Sequence, residues 1–154
     1  AVERRLAPRA ADRFFNLVRH GFFDDQRYFR VVRGRLVQFG LHSAPEVASR
    51  WYEAPIPDDP RVASNVRGTL TFATGAGADS RTTQIFINLA DNADFDRQGF
   101  VPVARVVSGI EAAESINGEY GELAEQSRIL AEGGEYLDRF FPALDRIIEA
   151  RLLE

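Results

Sequence analysis

Arg30, Gln38, Gln84 and Phe86 are the residues of this chain best suited to chemistry. They fall in two stretches, YFRVVRGRLVQFG over 28–40 and QIFIN over 84–88. The first supplies a guanidinium and a carboxamide; the second supplies a carboxamide and an aromatic ring. A fixed cation beside apolar groups, with no nucleophile, metal cluster or phosphate loop competing, suits a reaction in which no covalent bond is made or broken. On an extended strand, residues two apart share a face. Arg30 therefore sides with Tyr28 and Val32, on a concave or interior surface. An arginine held among apolar groups needs acceptors, and the carbonyl oxygens of Gln38 and Gln84 are suited to that role.

The competing motifs are weak. Gly75-Ala76-Gly77-Ala78-Asp79-Ser80 resembles a dinucleotide loop only superficially, because position 80 is serine and no strand–helix–strand crossover surrounds it. Asp91, Asp94 and Asp96 are spaced like calcium ligands, but Pro102 stands where a terminal bidentate carboxylate would be required. His20 and His42 are the only histidines and have no cysteine to join them in a zinc set. No Gly-x-Ser-x-Gly elbow is present.

Composition excludes further classes. The chain has 154 residues, a length suited to one domain with a real core. Net charge is -4 with interspersed signs, which argues against a nucleic-acid surface. No apolar run approaches the roughly 18 to 20 residues needed to span a bilayer. Absent cysteine rules out disulfides and thiol catalysis, and absent lysine rules out Schiff bases and P-loop lysines. All 19 basic residues are arginine. The compartment stays open between cytoplasm and periplasm.

These residues must be positioned by short elements. Pro8 opens a helix that reads clearly over Ala10 to Arg19, with Gly21 as its stop. Tyr28 to Val32 and Leu36 to Phe39 read as strands around an Arg33-Gly34-Arg35 turn. Four prolines between Gly40 and Asn65 make that stretch mostly loop, with one helical turn over Pro45 to Arg50 and with Trp51 and Tyr52 pinning it to the body. Gly68 to Ala73, Thr83 to Leu89 and Phe100 to Val107 read as strands, with a short helix over Gly109 to Ile116. Leu144 to Leu153 fits either a helix or a strand. Many short strands with few helices predict a mainly β, closed or nearly closed antiparallel barrel.

The chain resembles the cyclophilins. The opening helix with FFNLVRHGFFDDQRYFRVV, then RGTLTFA, TTQIFIN and FVPVARVVSG, are similar to four ordered signatures of that family. The match runs from about Leu6 to Gly121, and the remainder, with EGGEYL and FPALD, resembles a bacterial subgroup. The resemblance implies an eight-stranded barrel capped by two helices, in one domain over 1–154 whose segment 122–154 is subgroup-specific. It implies peptidyl-prolyl cis-trans isomerase activity without a cofactor, acting on proline-containing peptides or unfolded proteins, and a monomer. By position, Arg30 matches the catalytic arginine and Gln38 the residue that orients it. Gln84 and Phe86 match the second glutamine and the floor of the proline pocket. Leu36 stands in place of a methionine, and Ala73, Thr74 and Gly75 match the segment that grips substrate backbone.

The departures define further expectations. Arg35 stands where a pocket phenylalanine is usual, so one wall should be polar or rearranged. A tryptophan common near Asp94 is missing, with Phe95 placed to cover that side, and Phe100 replaces a histidine. The missing tryptophan predicts weak binding of cyclosporin-type inhibitors. One extra residue lies between Thr74 and Gly77, which shifts the backbone grip. The family's first strand has no counterpart, so an upstream extension or another element is expected to cover a bare edge. The alternative to an enzyme is a proline-peptide-binding module with feeble catalysis.

Overall fold

The computed structural model describes residues 1–153. Its centre is an antiparallel sheet of five short strands: β1 (Arg30–Val32), β2 (Leu36–Phe39), β3 (Thr69–Phe72), β4 (Ile85–Asn88) and β5 (Pro102–Arg105). Their order across the sheet is β1-β2-β4-β3-β5. Around it lie six helices among the described residues: α1 (Pro8–Arg19), α2 (Pro45–Tyr52), α3 (Ala93–Arg97), α4 (Ile110–Glu114), α5 (Gln126–Glu132) and α6 (Gly134–Phe140). The β1–β2 hairpin turns at Gly34, whose φ of 67° lies in the left-handed region that glycine enters without strain.

Strand parity divides the chain into two jobs. Val31, Val37, Phe39, Phe72, Ile85 and Ile87 face the main core, where Ala10, Ala11, Leu17 and Val18 of α1 also bury. The alternate positions face the other way. Arg30 lies opposite Gln38, Gln38 opposite Phe86, and Phe86 opposite Thr71. Opposed residues in an antiparallel pair project to one side of the sheet, so one row across four strands carries the cation, the carboxamide and the ring.

Helix α1 has no cap of its own at Ala7. Asp59, from the proline-rich loop, supplies it instead: its carboxylate accepts the backbone N–H groups of Arg9 (3.1 Å) and Ala10 (3.0 Å). A carboxylate at a helix N-terminus satisfies orphan donors and complements the macrodipole. Asp59 is held in turn by the buried Arg81 at 3.1 Å.

Several expectations need correction. The expected mainly β antiparallel architecture holds, but among the described residues it consists of five strands and three isolated bridges in place of eight full strands, with six short helices in place of two. The strand expected over Phe100 to Val107 is only Pro102–Arg105, with a register shift between Leu70 and Thr71; Pro102 has no N–H to give to the ladder. The edge of β5 is not bare. Arg105 donates its backbone N–H to the Ala1 carbonyl (2.9 Å) and Glu3 donates to Val103 (3.1 Å), so residues 1–3 pair along it. Leu144 to Leu153 forms neither helix nor strand. It makes a single bridge, Arg146 with Arg27, flanked by the Tyr28 N–H on the Asp145 carbonyl (3.0 Å) and the Ile147 N–H on the Gln26 carbonyl (2.8 Å). Leu144 is buried and Ile147 and Ala150 pack on the core, while Ile148 and Leu153 stay exposed. Trp51 does pack on the core, edge-on to Phe22, but Tyr52 points outward at 59% exposure.

Candidate active site

The row from Arg30 to Phe86 opens into one cavity of about 780 Å³. Every residue expected at the site lines it: Arg30, Gln38, Leu36, Ala73, Thr74, Gly75, Gln84, Phe86, Phe95 and Phe100. The extra residue in the loop after Thr74 does not remove Thr74 or Gly75 from the wall.

One end of the cavity is an apolar slot. Leu36, Phe86 and Phe95 are buried together, with Val32, Ala73 and Phe100 packed against them. The three rings of Phe86, Phe95 and Phe100 meet edge to face, with centroids 5.4 to 5.6 Å apart. Such tilted contacts suit the ring quadrupoles and hold each ring in place. Phe95 reaches this cluster from α3.

The other end is a hydrogen-bonded relay. Arg30 donates from Nη1 to Oε1 of Gln38 at 3.0 Å, and Gln38 donates from Nε2 to Oε1 of Gln84 at 2.7 Å. Gln38 is 4% exposed. With its amide engaged on both sides, its orientation is set by the network, and its oxygen faces the guanidinium.

Arg35 forms part of the wall without filling the slot. Its Nη2 lies 2.5 Å from Oδ2 of Asp94, and its guanidinium carbon sits 4.6 Å from the centroid of Phe95. The polar wall expected at this position is thus drawn against the outer face of an aromatic ring.

A second polar network fastens α3, and so Phe95, to the sheet. Asp96 accepts from the Ser64 hydroxyl, from the Asn65 backbone N–H (2.9 Å) and from Asn65 Nδ2 (2.7 Å). Asn65 is fully buried; its side chain also reaches the Phe100 carbonyl (3.0 Å) and accepts from Thr71 (2.7 Å). Burial alone pushes the Asp96 carboxyl up, but the donors from Ser64 and Asn65 outweigh it and hold it below its ordinary value. Asp91 accepts the Arg67 backbone N–H and Asp94 pairs with Arg35. The three aspartates thus serve separate partners. No group of three or more His, Cys, Asp or Glu among the described residues is arranged to hold a metal ion.

Sequence reasoning missed some lining residues and one contact. Tyr52, Asp79, Gln98 and Gln126 also line the cavity. Glu122 places Oε2 at 2.8 Å from Nε of Arg30. Ninety-two positions separate that pair in the chain, and a single glutamate after a glycine carries no local signal.

Comparison with known proteins agrees with this geometry. Residues 2–132 match the family model described as cyclophilin type peptidyl-prolyl cis-trans isomerase/CLD. The chain is 32% identical over 122 residues to peptidyl-prolyl cis-trans isomerase A of Dickeya dadantii, covering 76% of this chain and 64% of that protein. It is 29% identical over 153 residues to peptidyl-prolyl cis-trans isomerase B of Escherichia coli, covering 94% and 85% respectively. A solved cyclophilin from Hirschia baltica superposes with a TM-score of 0.59 at 13% identity, over 75% of this chain and 62% of that one. A cyclophilin-type isomerase of Cryptosporidium parvum superposes at 0.64 with 18% identity, over 79% of each. The chain thus spans a little under two thirds of the Dickeya protein and of the Hirschia structure, and most of the others. With the family model covering most of its length and the signature residues gathered in one cavity, the chain belongs to the cyclophilin-type peptidyl-prolyl cis-trans isomerase family.

Proposed function

We propose that the cavity receives an X-Pro segment and accelerates rotation about its imide bond, with the pyrrolidine ring on Phe86 and Leu36 and Arg30 facing the proline nitrogen. The observation that carries this reading is the shared row: the guanidinium, its glutamine relay and the aromatic slot open into the same cavity. A structure of the Cryptosporidium relative was solved in the presence of the dipeptide Ala-Pro.

The physics follows from the barrier. Amide resonance opposes rotation by about 18 to 20 kcal/mol. At the twisted transition state that resonance is gone and the lone pair returns to nitrogen. A donor aimed there stabilises the twisted form and not the planar one, which is the condition for acceleration. One charge-assisted hydrogen bond contributes about 1.5 to 3 kcal/mol, or roughly 10- to 150-fold in rate. The remainder comes from ring burial and from the Ala73–Gly75 backbone holding the peptide. Both bonding partners stay intact, so no cofactor enters.

The test is Arg30→Ala in a tetrapeptide proline-isomerisation assay, with circular dichroism as the folding control. Loss of most turnover in a folded variant is expected; unchanged turnover refutes the role. Arg35 in the wall favours the second reading, a peptide-binding module with feeble catalysis, and comparing turnover with affinity for an X-Pro peptide separates the two. Phe95 in place of tryptophan supports weak binding of cyclosporin-type inhibitors.

A further inference from the structure

Gln38 is one of two side chains that grip the Arg30 guanidinium. The other, Glu122, lies in the segment between α4 and α5, and its Oε2 accepts the Nε proton of Arg30 at 2.8 Å. We propose that Glu122 is a positioning residue for Arg30: it fixes the plane of the guanidinium so that the remaining N–H groups stay aimed at the slot. The proposal rests on the role given to Arg30 above.

The backbone is built to deliver this carboxylate. The turn over Gly118 to Gly121 closes with a hydrogen bond from Gly121 N–H to the Gly118 carbonyl (3.3 Å), and the Gly121 carbonyl then accepts the Val31 backbone N–H at 3.0 Å. Val31 is the neighbour of Arg30 in β1, so the turn docks on that strand one residue from the cation. Gly118 permits the approach: a β-carbon there would meet Arg33 side-chain atoms at 3.1 Å and the Val31 side chain at 3.2 Å. Gly121 adopts a φ of 54°, a conformation that side-chain-bearing residues take only with strain. On either side, Asn117 donates its backbone N–H to Asp145 (2.7 Å), and the Tyr120 ring packs 5.2 Å from Phe141. The C-terminal segment thus braces the turn from outside.

Geometry, more than charge, makes the contact useful. Glu122 is 59% exposed and Arg30 33%, so solvent screens most of the Coulomb interaction. Orientation is not screened. A guanidinium is a rigid planar fork with five donors. Holding Nε from one side and Nη1 from the other leaves three donors and removes rotation about the last side-chain bond. Glu122, Arg30, Gln38 and Gln84 then form one continuous chain of hydrogen bonds, the last three of them lining the cavity.

The test compares Glu122→Ala, Glu122→Gln and Arg30→Ala in the isomerase assay, each checked by circular dichroism. Glu122→Ala should lose about 10-fold in kcat with KM nearly unchanged, the scale of a slightly misaimed catalytic group. Glu122→Gln keeps a neutral acceptor for Nε and should return to within about threefold of the parent. In the magnetic resonance spectrum, the Arg30 Nε–Hε signal should be protected from solvent exchange in the parent and in Glu122→Gln, and lost in Glu122→Ala. Should the alanine variant not fold, the glutamine variant and this signal decide. The proposal is overturned if Glu122→Ala keeps parental kcat or gains turnover while Arg30→Ala is inactive. It is equally overturned if the loss falls on KM, or if glutamine rescues neither turnover nor the signal. Full activity in Arg30→Ala instead overturns the role given to Arg30, an outcome distinct from the others.

Discussion

Replacing Asp96 by alanine should loosen the whole slot, because this one carboxylate ties α3 to the segment before β3. Its Oδ1 takes two protons from Asn65, the backbone N–H at 2.9 Å and Nδ2 at 2.7 Å, and Oδ2 takes the Ser64 hydroxyl. Ser64 is partly exposed and regains water when the acceptor goes. Asn65 is fully buried and does not. Its Nδ2 keeps one of its two hydrogens on the Phe100 carbonyl, so the uncompensated loss falls on the backbone N–H and on the other Nδ2 hydrogen. Stranding a buried donor costs about 1 to 3 kcal/mol, and losing hydrogen bonds to a charged acceptor adds to it. Asp96→Ala is therefore expected to destabilise by about 3 kcal/mol, a large share of the roughly 5 to 15 kcal/mol that holds a domain together. Asp96→Asn keeps one oxygen as a neutral acceptor and should cost about half as much. Linkage adds a check on mechanism. The folded carboxyl lies below its ordinary 3.8, so the unfolded chain binds the proton first. This stabilisation is complete above about pH 4 and is lost as pH falls through the lower folded value. Urea unfolding followed by circular dichroism at neutral pH, repeated down to about pH 2.5, measures both effects. A loss under about 1 kcal/mol for Asp96→Ala, or a gap between parent and Asp96→Asn that widens in acid, would refute the reasoning.

Two other outcomes follow from the same contacts. Arg35→Ala removes a partly exposed ion pair with Asp94 and a cation–π contact with Phe95. It should cost no more than about 1 kcal/mol in stability by urea unfolding, while a change in X-Pro peptide affinity by calorimetry would mark this wall as a determinant of recognition. Burial holds the His42 imidazole below its ordinary 6.5, with Nδ1 accepting the Ala44 N–H and the ring 5.3 Å from Phe22. The unfolded state therefore takes up its proton at higher pH than the folded state, and stability falls as pH drops below about 6.5. His42→Gln should flatten urea midpoints between about pH 7 and 5, and an unaltered slope would exclude His42 as the source.

How far the sequence reached can be seen from particular residues. Alternation placed Arg30 on one face with Val32, since a period of two is a covalent property of the extended chain. It failed for Tyr28, which precedes β1 and packs on the main core against Phe39. The Pro8 start and Gly21 stop bounded α1 for equally local reasons. That Arg35 and Phe95 would stand beside the pocket was implied only by the family resemblance, since neither residue type carries that signal by itself. Register was not. That Gln38 stands between Arg30 and Phe86 depends on how β1, β2 and β4 align, which is set by the burial of the odd-numbered faces against α1. The docking of the Gly118–Gly121 turn on β1, the use of Asp59 to cap a helix fifty residues away, and the pairing of residues 1–3 with β5 depend likewise on backbone groups that find partners only once the core has closed. Glu122 is the clearest case. Its chemistry is written in its side chain, but the partner that gives it meaning is brought near only by the tertiary fold, because hydrogen bonds between distant residues are chosen by packing and not by adjacency.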